Sequence, residues 1–115
     1  MLPSKNKVFG NFKELGVNAE FIKGLADLKI LEPTEIQSQV IPVLMHGKTD
    51  LVGQAQTGTG KTAAFGLPLL HKIDPKRKVV QGLILCPTRE LGQQVKKQLF
   101  KFTKYSEKIF VEAVY

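Results

Sequence analysis

The sequence predicts an α/β fold, a parallel sheet flanked by helices, on three observations. Over 115 residues the patterns run helix, helix, strand, loop, helix, strand, helix, strand, the order that parallel strands with right-handed crossovers produce. A glycine-rich stretch, AQTGTGKTAAF at 55–65, lies between a short apolar run and a helix-forming segment. The run VVQGLILC at 79–86 is apolar, partly β-branched and ended by Pro87, as a buried parallel strand is. Three strands are few for such a sheet, so it is expected to be incomplete within these residues.

Each element has a local cause. Asn18 can cap a helix over 19–29 that sets Phe21, Ile22, Leu25 and Leu28 on one face. Thr34 can cap a second over 35–46, with Ile36, Val40, Ile41 and Leu44 inward and Gly47 as its stop. Pro42 lies inside it and should bend it or delay its start. Asp50-Leu51-Val52 begins a short buried strand that feeds the glycine-rich loop, and a third helix follows from about Gly60 to Lys72, with Pro68 in its last turns. KIDPKRK, 72–78, is a charged turn. Thr88 can cap a fourth helix over 89–104, where Leu91, Val95, Leu99 and Phe102 fall at i, i+4, i+8 and i+11. KIFVEAVY, 108–115, reads as the third strand.

Composition narrows the class. The chain is 43% hydrophobic and 23% charged, ordinary for a soluble globular domain. No apolar stretch approaches the ~20 residues of a membrane span, and the N-terminal residues lack the apolar core of a secretory signal. The single cysteine, Cys86, cannot form an internal disulfide and offers no metal-site spacing. A cytoplasmic location is the expectation. Residues 71–108 hold ten basic side chains against three acidic ones, which accounts for the whole net charge of +7. Such a basic half invites a polyanion, nucleic acid first, or forms a solvated lysine-rich surface. Lys97, Lys101 and Lys104 lie opposite the apolar stripe of their helix and read as a solvated face. His46 and His71 have no partner at catalytic or metal spacing.

The glycine-rich loop carries the sharpest chemistry. Ala55, four spacers and Gly60-Lys61-Thr62 match the phosphate-binding pattern, with alanine in place of its first glycine. Gly58 and Gly60 permit the dihedrals that turn the backbone N–H groups of Thr57 to Thr62, Thr59 among them, toward one point. With the N-terminal end of the following helix, these donors make a concave site for anionic oxygens. Lys61 adds a mobile charge for the outer phosphates. Thr62 offers a hydroxyl oxygen to Mg²⁺. The pattern points to a nucleoside triphosphate and is silent on the base.

Three ordered blocks then resemble the DEAD-box ATP-dependent RNA helicases. Phe12 is followed, seventeen residues on, by KILEPTEIQ, 29–37, which is similar to the adenine-sensing glutamine motif. AQTGTGKT is the second block, and Pro87-Thr88-Arg89-Glu90-Leu91, similar to an RNA-contacting motif, is the third. The resemblance runs from about Phe9 to the last residue. It implies a short tail over 1–8 and, over 9–115, the N-terminal portion of a truncated RecA-like P-loop domain. It also implies that Gln37 hydrogen-bonds adenine, that Phe12 and Glu32 lie beside the base, and that Thr88 and Arg89 contact the RNA backbone. Lys29-Ile30 departs from the family's usual Gly-Phe, so Ile30 keeps apolar bulk without stacking.

Two residues carry alternatives. Thr34-x-x-Gln37 is also a helix capping box. Thr88 can be an N-cap as readily as a phosphate ligand. Hydrolysis would further need a carboxylate for Mg²⁺, a water-positioning group and an arginine, which the resemblance places in an Asp-Glu-Ala-Asp motif and a second helicase domain outside residues 1–115. These residues alone are therefore expected to be inactive, marginally folded and prone to self-association through open sheet edges. A related DNA helicase, or a non-catalytic nucleotide- or RNA-binding module, are the competing readings.

Overall fold

The computed structural model describes residues 11–46 and 59–114. Four helices appear among them: α1 (Ala19–Asp27), α2 (Glu35–His46), α3 (Thr59–His71) and α4 (Arg89–Phe102). The expected strand at 50–52 and the stop at Gly47 lie outside the described residues, as does the tail over 1–8.

Helix ends follow the capping residues. Asn18 Oδ1 accepts from the Phe21 N–H at 2.8 Å and starts α1. Thr88 Oγ1 accepts from the Leu91 N–H at 3.1 Å and starts α4. α1 stops at Asp27, two residues earlier than the apolar pattern suggests, because Lys29 adopts the left-handed region at φ 63°. There the Lys29 N–H donates to Ala26 O and the Ile30 N–H to Leu25 O, both at 2.9 Å, a Schellman turn that satisfies two end carbonyls. α4 likewise stops at Phe102, where the Thr103 hydroxyl reaches back to the carbonyls of Leu99 and Phe100. α2 begins at Glu35 despite Pro42, and α3 runs through Pro68. Ile41 and Leu67, beside those prolines, are fully buried, so tertiary packing offsets the ~3 kcal/mol an interior proline costs.

α2 lies along α3, and α1 and α3 both pack on α4. The core between them takes Phe21 and Leu25 from α1, Ile41 from α2, Leu67 and Leu70 from α3, and Val95, Leu99 and Phe102 from α4. Gly24 lets α1 and α4 approach closely: a Cβ there would stand 2.6 Å from the Phe102 carbonyl oxygen. The segment before α1 is folded in by a reciprocal pair, Asn11 N–H to Glu14 Oε1 and Glu14 N–H to Asn11 Oδ1, each 2.8 Å.

Of the expected parallel sheet, the described residues hold the helices that would flank it, and its first strand at 50–52 lies outside them. Among the described residues there is no strand: 79–86 and 108–114 carry no ladder of backbone hydrogen bonds. The strand pattern in their side chains nevertheless survives. Ile109 and Val111 pack against the helices while Phe110 and Val114 face outward, and Ile84 and Cys86 face the helices while Leu83 and Leu85 do not. Apolar period reports which face meets the core; a strand also needs a neighbour to exchange N–H and C=O groups with.

Candidate nucleotide-binding site

The first turn of α3 holds Gly60, Lys61 and Thr62. Ala55, Thr57 and Gly58 lie outside the described residues, and Thr59 is described only as the residue that opens α3. Thr62 is buried and Lys61 half-buried. Ala63, Ala64 and Leu67 follow on the core side, so burial of this apolar face fixes the helix and holds its N-terminal end in place.

Gln37 reaches that end from α2. Its side chain is in a residue only 1% exposed. Oε1 accepts from the Thr34 N–H at 2.9 Å, and the Thr34 hydroxyl accepts from the Gln37 N–H at 3.4 Å, which is the capping box. Nε2 donates to the Gly60 carbonyl at 3.0 Å. A backbone N–H on one side and a backbone carbonyl on the other admit only one orientation of the amide. One side chain therefore joins the start of α2 to the residue before Lys61. The capping half was legible from the spacing Thr34-x-x-Gln37. The Gly60 half spans 23 positions and had no local signal.

The remaining nucleotide-side residues are less converged. Phe12 is 2% exposed and belongs to the core with Val17, Phe21 and Leu25. Glu32 is exposed in the bend before Pro33. Ile30 packs against the core edge. Thr88, at the N-cap of α4, and Arg89, its first residue, are both exposed. Groups able to hold a metal through three or more His, Cys, Asp or Glu side chains are absent among the described residues. What the first turn of α3 does offer is the chemistry of an anion site with a hydroxyl oxygen beside it, and that donor set fits a phosphate with a hard cation. No helix among the described residues is long and apolar enough to cross a membrane.

Two tertiary links had no sequence signal. His71 Nδ1 hydrogen-bonds the Leu67 carbonyl at 2.8 Å and its Nε2 accepts from the Asn18 N–H at 3.0 Å, which fixes the neutral tautomer with the proton on Nδ1. Its ring meets Phe21 edge-on at 4.8 Å. Asp27 Oδ2 accepts from Tyr105 Oη at 2.6 Å and Lys104 Nζ at 2.9 Å. The Tyr105 hydroxyl, then Lys104, hold the Asp27 carboxyl below its ordinary value, and Asp27 in turn raises both partners. Lys104 thus keeps the solvated position read from the helix pattern, its side chain 61% exposed, and adds an ion pair with Asp27.

Residues 34–115 match the DEAD/DEAH box helicase family. The chain is 51% identical over 104 residues to the ATP-dependent RNA helicase CshA of Listeria monocytogenes, across 90% of this chain and 20% of that protein. It is 46% identical over 104 residues to the ATP-dependent RNA helicase DeaD of Escherichia coli, across 90% of this chain and 16% of that protein. Among solved structures, Saccharomyces cerevisiae Dbp5 bound to RNA and ADP BeF3 superposes with a TM-score of 0.78 at 36% identity, over 84% of this chain and 25% of that one. The chain thus spans about a fifth of the length of the curated relatives it matches.

Proposed function

The chain belongs to the DEAD/DEAH box helicase family, and we propose that it is the ATP- and RNA-binding start of an ATP-dependent RNA helicase. The observation that carries this reading is the buried Gln37 amide, tied to the carbonyl of the residue before Lys61. The amide caps α2 and ties its start to Gly60. Adenine presents an amino group and a ring nitrogen, a donor and an acceptor that can replace the Thr34 N–H and Gly60 carbonyl pairings. Guanine presents the wrong partners, and a mispaired buried amide costs ~1–3 kcal/mol.

In this reading Ala55, Thr57, Gly58, Thr59 and Gly60 supply backbone N–H groups to the phosphates, Lys61 supplies charge, and Thr62 supplies a hydroxyl oxygen to Mg²⁺. The bound cation neutralises phosphate oxygens. Phe12 supports the base side from within the core, and Glu32 flanks it at the surface. Thr88 and Arg89 hold the RNA backbone at the N-terminal end of α4, without reading bases. The whole protein, with a second helicase domain, couples hydrolysis to local duplex separation in the cytoplasm; residues 1–115 bind without turning over ATP. Self-association of the shorter chain accompanies the reading.

Competition between ATP and GTP for Mg²⁺-dependent binding tests it. Gln37→Glu keeps the acceptor for the Thr34 N–H but loses the amide donor. It is expected to erase a roughly ten- to hundredfold preference for ATP, the equivalent of that mispairing. A wild-type protein that binds both nucleotides equally, or a preference unchanged in the variant, overturns the base-reading role.

A further inference from the structure

We infer that the turn over 72–78 is a second contact for the RNA backbone, separate from the one at Thr88 and Arg89; the inference rests on the RNA-helicase reading above. Lys72, Lys76, Arg77 and Lys78 stand within this stretch, with Asp74 as its only acid, and all four cations are exposed. Among the described residues the ion pairs are Lys96 with Glu112 and Lys104 with Asp27, so no carboxylate neutralises any of the four. Glu20 and Glu107 line a cleft with Pro75 and His71 and pair with none of them.

The backbone that carries these charges is held in place. Gln81 Oε1 accepts from the Asp74 N–H at 2.9 Å, and its Nε2 donates to the Asp74 carbonyl at 2.9 Å and the Arg77 carbonyl at 3.3 Å. The Arg77 N–H donates to the Asp74 carbonyl at 3.1 Å. Asp74 Oδ1 accepts from the Lys76 N–H at 3.0 Å, so the one acid of the turn is occupied by backbone rather than by the cations. A polyanion meets a turn already ordered, which lowers the cost of binding it. The turn holds no aromatic side chain to stack a base, so its target is phosphate. Its position relative to the first contact favours RNA as that polyanion. A Cβ at Gly82 would lie 2.9 Å from Leu69 Cδ1, near the end of α3, and one at Gly92, in the first turns of α4, 4.0 Å from Cys86 Cβ. Segment 79–86 therefore runs from the turn to Thr88 and Arg89. Even fully extended it separates the two contacts by no more than about 35 Å, a span that a strand longer than one site covers.

Fluorescence anisotropy of the complete protein across a salt series tests the inference, with one RNA strand of about 6 nucleotides, enough for a single site, and one of about 30. The triple variant Lys76→Gln, Arg77→Gln, Lys78→Gln is expected to bind the long strand about fivefold or more weakly and to flatten its salt slope by about 2. Binding of the short strand should stay at the wild-type level. A control, Lys13→Gln, Lys23→Gln, Lys97→Gln, removes the same charge from exposed positions elsewhere and should leave the long-strand slope unchanged. A slope that the turn variant does not alter overturns the inference and leaves these cations to solvent or another anion. Two triple variants that flatten the slope alike also overturn it, since net charge alone then acts, as does a turn variant that weakens both strands equally. A wild-type protein that binds neither strand removes the RNA-helicase reading itself and this inference with it. Short-strand binding that persists while the turn proves indifferent removes this inference alone.

Discussion

Lys29 shows what a single backbone position demands. The turn that closes α1 needs φ near +60°, and Lys29 supplies it at φ 63° with a side chain that pays a steric penalty there. Glycine is the residue the related motif usually has at this point, and the reason is now physical: the Schellman turn places its left-handed residue there. Lys29→Gly is expected to raise stability by about 0.5–1 kcal/mol, partly offset by the freer unfolded chain, as chemical denaturation would read. Asp27, two residues earlier, has the opposite character, a side chain whose partners come from far along the chain. Its lowered carboxyl value means a contribution to stability that is full above the ordinary 3.8 and lost as pH falls through the lowered value. Tyr105 and Lys104, raised above 10.0 and 10.5, contribute below those values and lose the contribution as pH rises through their raised ones. Asp27→Asn should therefore melt below wild type at neutral pH. The gap should close at the acid end and narrow at the alkaline end; a gap constant with pH would show that the cluster is not its source.

Among elements, the α1–α4 contact is set by an atom that is missing. With 2.6 Å and 2.8 Å from the site of a Gly24 Cβ to the carbonyl oxygens of Phe102 and Lys101, the two backbones cannot accommodate alanine without moving apart. Gly24→Ala is expected to destabilise by about 2 kcal/mol or more, despite alanine's better helix propensity. At Gly66 the nearest atom is the flexible end of Leu99, at 2.7 Å, so the same substitution there should cost less. Comparison of the two variants by thermal melting separates backbone collision from side-chain crowding. His71 works on the same scale. It ends α3 and receives the N–H of the residue that caps α1, so α3 also fixes where α1 begins.

For the whole molecule, the predictions concern binding and its limits. In a complete protein, Arg89→Ala is expected to weaken RNA affinity across sequences and flatten the salt dependence by about one counterion; salt titrations that stay parallel would remove Arg89 from the backbone contact. ATPase activity of the 115-residue chain at saturating RNA should remain at background, and clear RNA-stimulated turnover would show that it holds a complete hydrolytic set. What the sequence by itself determined was local: the N-caps at Asn18, Thr34 and Thr88, the four helices, the buried stripes of α1 and α4, and the phosphate-loop pattern ending at Thr62. Each of these depends on residues within a turn or two of one another, where spacing alone fixes which groups meet. Only the tertiary structure decided that Gln37 spans from Thr34 to Gly60, that His71 holds Asn18, and that Asp27 gathers Lys104 and Tyr105. Those outcomes join positions 23 to 78 residues apart, and a period in the chain records what a segment can bury, not which distant group arrives to meet it.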